Sequence, residues 1–239
     1  MLITTKAIVF SALKYGEADL IVKCFTEKSG LKTYLLRGVL KSKKGKLKAS
    51  LFQPLTQLEI VAQHKDKGSL EYIREAKLLV PYESLHTNIL KSAVVMFLSE
   101  VLRNAIKEEE ANFPLFTFLE MSLLWFDQNE KTANFHLWFM LELTRFLGFY
   151  PDDSQRDGEV FNLEDGSFEY AETNNSCISD ENVFQLKQFL GTNFDEISHI
   201  KMNQVTRSRF LLMLLNYYEI HLHGFHKPKS LGVLNEIYS

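Results

Sequence analysis

The chain has 239 residues, 46% of them hydrophobic and 24% charged, with 19 Phe, a composition that fits one large or two modest globular domains with an aromatic-rich core. No run reaches the ~18 uninterrupted apolar residues of a membrane helix, and residues 1–10 carry Lys6 without a long apolar stretch or a small-residue cleavage site, so neither a membrane span nor a signal peptide is expected. The net charge of −3 is unevenly divided: residues 1–81 hold 15 Lys and Arg against 7 Asp and Glu, whereas residues 82–239 hold 12 against 23, so a basic half suited to a polyanion precedes an acidic half suited to other partners.

Five strands are expected first. Residues 6–13, 20–26 and 31–37 are β-branched or aromatic runs, separated by Tyr15-Gly16-Glu17 and Lys28-Ser29-Gly30. Residues 55–62 and 70–79 follow, divided by Lys65-Asp66-Lys67-Gly68. Five strands at this spacing suit a small barrel over residues 1–80, of which the OB-fold is one. Between strands three and four, Lys41, Lys43, Lys44, Lys46 and Lys48 place five lysines in eight residues. That charge density cannot be buried, and an exposed loop is expected.

Pro81 ends the strand pattern, and a helical domain is expected over residues 81–239. Leu85, Ile89, Ala93, Phe97, Val101 and Ala105 recur every four residues, with Leu90, Val94, Leu98, Leu102 and Ile106 as the neighbouring row; together they form the apolar stripe of one long helix. Asn112-Phe113-Pro114 starts a second helix running to about Asp127, and residues 135–147 form a third, with Gly148 as its C-cap. Residues 150–180 turn polar and acidic. Asp165-Gly166 sits as a turn between 160–163 and 167–170, which predicts a small β-hairpin insert. Helices resume at about 180–190 and 205–222, and Leu231, Leu234 and Ile237 close the chain with a short one.

Catalytic signatures are missing from this sequence. Gly45-Lys46-Leu47 lacks the Ser or Thr of a P-loop, and Gly38 lies too far upstream of Gly45. G-x-G-x-x-G, G-x-S-x-G and H-E-x-x-H do not occur. His221, His223 and His226 are spaced like metal ligands, but Gly224 takes them off one helical face and no Cys or carboxylate is grouped with them. No catalytic residue, metal ligand or cofactor is assigned, and no enzymatic activity is expected. The two cysteines, Cys24 and Cys177, lie far apart, which fits a reducing cytoplasm better than a disulfide framework.

The lysine run carries the most functional information. Alone it reads as a solvated loop. Its setting adds Lys6, Lys14, Lys23, Lys32, Arg37, Lys65 and Lys67 on nearby segments, and clustered cations bind phosphate backbones through counterion release. Tyr15 and Tyr34 offer faces on which unpaired bases can stack, although each taken alone reads as a core residue. In the helical half, Arg207 and Arg209 beside Phe210, Leu211, Leu214 and Leu215 can rim an apolar groove for an acidic peptide, or can simply be the solvated side of a core helix.

In this order, Lys6-Ala7-Ile8-Val9, Tyr15-Gly16-Glu17-Ala18-Asp19-Leu20-Ile21-Val22, Phe25-Thr26-Glu27-Lys28-Ser29-Gly30, Arg37-Gly38 with the basic run to Lys48, and Leu51-Phe52-Gln53-Pro54-Leu55 resemble the opening of RecO recombination-mediator proteins. Leu147-Gly148-Phe149 resembles the helix end before that family's insert, and Gly224 with Lys229-Ser230-Leu231 its C-terminal stretch. The resemblance implies an α+β protein: an N-terminal OB-fold followed by helices with a small hairpin insert. It also implies a DNA repair protein that binds single- and double-stranded DNA and anneals complementary strands. The implied partners are RecR, the acidic C-terminal tail of single-strand DNA-binding protein and, indirectly, RecA, in the bacterial cytoplasm and at the nucleoid during repair. DNA contacts are then expected from Lys6, Lys14, Tyr15, Lys32, Arg37, Lys41, Lys43, Lys44, Lys46 and Lys48, and partner contacts from Arg207, Arg209 and Phe210. Many members carry a four-cysteine zinc ribbon in the insert; here residues 150–179 hold only Cys177, so a metal-free remnant held by its hairpin alone is expected. The alternatives are a non-catalytic barrel that binds RNA or an acidic protein, and an enzyme using the His221–His226 cluster with a metal.

Overall fold

The first strand is buried on both faces along residues 7–10, and that double burial organises the N-terminal unit. In the computed structural model, which describes residues 1–41, 47–65 and 70–237, β1 spans Leu2–Tyr15, β2 Asp19–Thr26, β3 Gly30–Leu36, β4 Gln57–Gln63 and β5 Tyr72–Leu78. All neighbours are antiparallel, in the order β3-β2-β1-β4-β5. Alternation along β1 sends Ala7 and Val9 into a cluster with Val22, Cys24, Tyr34, Leu36, Leu58 and Ile60. Phe10 lies outside that cluster and stacks on Phe25, at 5.8 Å between ring centroids.

The sheet closes on itself. Tyr34 and Glu71 form a parallel bridge between β3 and the approach to β5, the Leu35 N–H donating to the Glu71 carbonyl and the Glu71 N–H to the Thr33 carbonyl, both at 2.9 Å. Closure leaves a five-stranded OB barrel with its two outer edges joined. A short 3-10 helix, Ala49–Phe52, plugs it with Phe52.

Two helices belong to the same compact unit, Met1–Asp127. α1 spans Ile89–Ala105 and α2 Phe113–Gln128. Phe116 of α2 stacks on Phe25 at 6.2 Å, so the helices cover the outer aromatic face of the barrel. The apolar rows starting at Leu85 predict an earlier start for α1. The structure begins it at Ile89, capped by the Asn88 side chain, because the N–H groups of Glu83, Ser84 and Leu85 all donate to the Asp127 carboxylate, at 2.8–3.0 Å. Leu85 is still fully buried; it packs from a capped turn instead of from a helix.

The second unit, Gln128–Ser239, holds α3 Phe135–Leu147, α4 Glu181–Phe189, α5 Gln204–His221 and α6 Leu231–Ile237. Gly148 takes φ +85° at the end of α3, the left-handed cap expected there. The Tyr217 and Tyr218 hydroxyls of α5 donate to the carbonyls of Phe149 and Met140. The insert forms a three-stranded sheet of β6 Val160–Asn162, β7 Ser167–Glu169 and β8 Cys177–Ile178, in the order β7-β6-β8.

The insert is therefore not held by its hairpin alone. A third strand joins it, and the fully buried Asn162 amide donates to Asp165 and Glu169 while its oxygen accepts from the Glu164 and Asp165 N–H groups. Thr173 donates to the same Glu169 carboxylate. Among the described residues, no group of three or more His, Cys, Asp or Glu is placed to hold a metal ion. No described helix is long and apolar enough to cross a membrane.

Candidate nucleic-acid interface

The basic residues of the barrel fall into two sets. In the first, protein carboxylates already hold the cations. The Lys6 ammonium lies 2.8 Å from Glu120 and 4.0 Å from Glu27. Its hydrogen bond to Glu120 outweighs partial burial and raises its pKa above the ordinary lysine value. The side chain of Lys32 is only 12% exposed and lies 3.8 Å from Glu109.

The second set is exposed and gathers where β1 turns into β2 and β3 ends. Lys14 and Tyr15 occupy the last positions of β1 and face solvent. Gly38, at φ +66°, redirects the chain after β3. Its N–H donates to the Asp19 carboxylate at 2.7 Å, and the Leu40 N–H donates to the Ala18 carbonyl. These bonds tie the start of the lysine run to the β1–β2 turn. Lys41 is exposed there and pairs with the equally exposed Glu17 at 2.7 Å. Lys48 is exposed just before the 3-10 helix. Lys43, Lys44 and Lys46 lie outside the described residues.

Of the two tyrosines expected to offer stacking faces, Tyr15 is 55% exposed and Tyr34 is fully buried. Tyr34 is thus a core residue, the alternative reading for these aromatics, and offers no stacking face. It lies on the inner face of β3, hydrogen-bonded to His64 Nε2 at 2.8 Å, and burial raises its pKa well above the ordinary phenol value.

Sequence reading missed a second tyrosine, at the seam between β3 and β5. Tyr72 opens β5 and is half-buried. The Arg37 guanidinium stands 5.6 Å and the Lys65 ammonium 5.5 Å from its ring centre. An Arg37 N–H also reaches the Tyr72 hydroxyl, at 3.4 Å. Lys65 is fixed by its own backbone N–H, which donates to both oxygens of the buried Glu71 carboxylate at 2.9 Å. Only barrel closure brings these three residues together, so local pattern could not find them.

In the second unit, the three candidate partner residues separate. Arg207 turns inward, its Nε donating to Asn134 Oδ1 at 3.1 Å and its Nη2 to the Met202 carbonyl. Phe210 is fully buried and stacks on Phe189 at 5.2 Å. Arg209 is exposed and lines an open groove with Leu163, Ile178, Leu212, Met213 and Lys227. Of the spaced histidines, His221 stacks on Phe149 and bonds the Leu163 carbonyl through Nε2.

Comparison with known proteins agrees with this architecture. Family models described as "Recombination protein O N terminal" and "Recombination protein O C terminal" match residues 1–82 and 86–231. The chain is 61% identical over 238 residues to the DNA repair protein RecO of Christiangramia forsetii, 47% over 239 residues to that of Flavobacterium johnsoniae, and 38% over 242 residues to that of Bacteroides fragilis. Each alignment covers 100% of both chains.

Proposed function

Because the chain belongs to the RecO family and has a role in DNA repair and recombination, we propose that it is a non-catalytic mediator in the cytoplasm and at the nucleoid. It binds single- and double-stranded DNA, anneals complementary strands and helps load recombinase onto strands coated by single-strand DNA-binding protein. The observation that carries this reading is the exposed cationic set Lys14, Arg37 and Lys48 on a closed barrel, with Lys41 beside them in an exposed pair to Glu17 that solvent weakens, continuous in sequence with the rest of the lysine run. Annealing breaks and makes no covalent bond. It needs two polyanions brought together with their bases exposed, and neutralising phosphates by lysine and arginine achieves that.

The second unit supplies the protein contacts. The groove lined by Arg209, Leu163, Ile178, Leu212 and Met213, together with Asp180 and with Lys227 that pairs with Glu219 at 3.0 Å, is the candidate seat for a peptide ending in an apolar residue, with Arg209 as its cation. The single-strand DNA-binding protein tail is its occupant in this reading; RecR and, through it, RecA complete the partners. Changing Lys41, Lys43, Lys44 and Lys46 to Ala tests the DNA surface: the slope of log affinity against log salt should flatten by about 0.7–0.9 for every phosphate that is no longer neutralised. An unchanged slope would place the DNA surface elsewhere.

A further inference from the structure

We propose that Tyr72 is a base-stacking platform that gives the barrel a component of affinity for single strands that duplex does not share; this rests on the DNA-binding reading above. A protein that holds an unpaired strand needs an aromatic face for the base and cations for the phosphates on either side of it. Tyr72 meets both needs: it is half-buried, and Arg37 and Lys65 stand over its ring. Among the described residues no carboxylate pairs with either cation, in contrast to Lys6 and Lys32. Both stand over the ring at cation–π distance, so a base that stacks there takes the place of a cation and frees it for the neighbouring phosphate.

The group is also pre-arranged. Tyr72 is registered opposite Gln63 on β4, whose side-chain oxygen accepts from Arg74 at 2.9 Å. Lys65 is anchored through Glu71, and Arg37 leaves β3 one residue after Leu36, which pairs with Leu20. Arg37 thus stands between Tyr72 and the chain leading into the lysine run, so a strand on that run can continue across the ring. A duplex keeps its bases paired and offers Tyr72 only phosphates. An acidic protein, the other class of polyanion, offers no planar base.

The test is equilibrium binding of the full chain to a labelled single strand, to the same strand with its bases removed, and to blunt duplex. Tyr72→Ala should weaken the base-bearing strand about tenfold and leave the abasic strand and the duplex unchanged, whereas Tyr72→Phe should bind like the unaltered chain. In Tyr72→Trp, which covers the case that Tyr72→Ala misfolds, indole emission should be quenched by the base-bearing strand and not by the abasic one. Equal losses on abasic strand or duplex would make Tyr72 only a spacer for its cations and overturn the proposal. Unchanged single-strand affinity in Tyr72→Ala, or unquenched emission in Tyr72→Trp, would overturn it while DNA binding stands. Absence of DNA binding by the unaltered chain would overturn both this proposal and the reading beneath it.

Discussion

The division of the barrel's cations into committed and available sets makes a quantitative prediction. Lys6 and Lys32 already face Glu120, Glu27 and Glu109. Moving either onto a phosphate would strip a carboxylate of its partner, so little net counterion release is gained. Lys14, Arg37 and Lys65 carry no such pairing among the described residues. Each neutralised phosphate contributes about 0.9 to the salt slope on duplex and about 0.7 on single strands. The triple variant Lys14→Ala, Arg37→Ala, Lys65→Ala should therefore be shallower by roughly 2.7 on duplex and 2 on single strand, if each residue neutralises one phosphate. Over a fourfold rise in salt that difference is about 40-fold in duplex affinity. The double variant Lys6→Ala, Lys32→Ala should stay within about 0.3 of the unaltered slope. Fluorescence anisotropy across a salt series reads both. A larger slope change in the Lys6 and Lys32 variant than in the triple variant would refute the division.

Two further predictions concern what stabilises each unit from within. Asp127 accepts from three backbone N–H groups and from the Ser84 hydroxyl, so Asp127→Ala should cost about 2–4 kcal/mol, seen as a lower urea midpoint. Burial alone would raise the Asp127 pKa, but these bonds together bring it below the ordinary value. Its contribution is therefore present above the unfolded carboxylate pKa and is lost as pH falls through the lower folded value. His136 is fully buried, and burial, with the Arg207 charge, lowers its pKa to about 3. Because its folded pKa lies below the unfolded one, its stability contribution is complete above pH ~6.5 and is lost as pH falls towards ~3, by roughly 3–6 kcal/mol. Acid titration followed by tryptophan fluorescence should show that slope in the parent and lose it in His136→Phe.

Elements that obey their own local period were legible in the sequence. The five strands, α2 from Asn112 and α3 with its Gly148 cap follow alternation, capping chemistry and a left-handed turn, all contained within a few residues. Errors arose where a distant partner decides. Asp127 lies more than forty residues beyond Leu85, and it converts the start of the first apolar stripe from helix to capped turn. Glu120 lies 114 residues from Lys6 and takes that lysine out of the exposed set. β8 is only Cys177–Ile178, too short for alternation to register. Tyr34 and Tyr72 are indistinguishable as strand residues; which one faces inward depends on strand register and barrel closure. The site was therefore readable as charge and not as geometry.

The most direct test of the central claim is annealing of two complementary strands coated with single-strand DNA-binding protein, with and without the full chain. Annealing should accelerate, and the acceleration should fall with added salt and with Lys41, Lys43, Lys44 and Lys46 changed to Ala. No acceleration from a folded chain, or acceleration indifferent to salt and to those lysines, would contradict it.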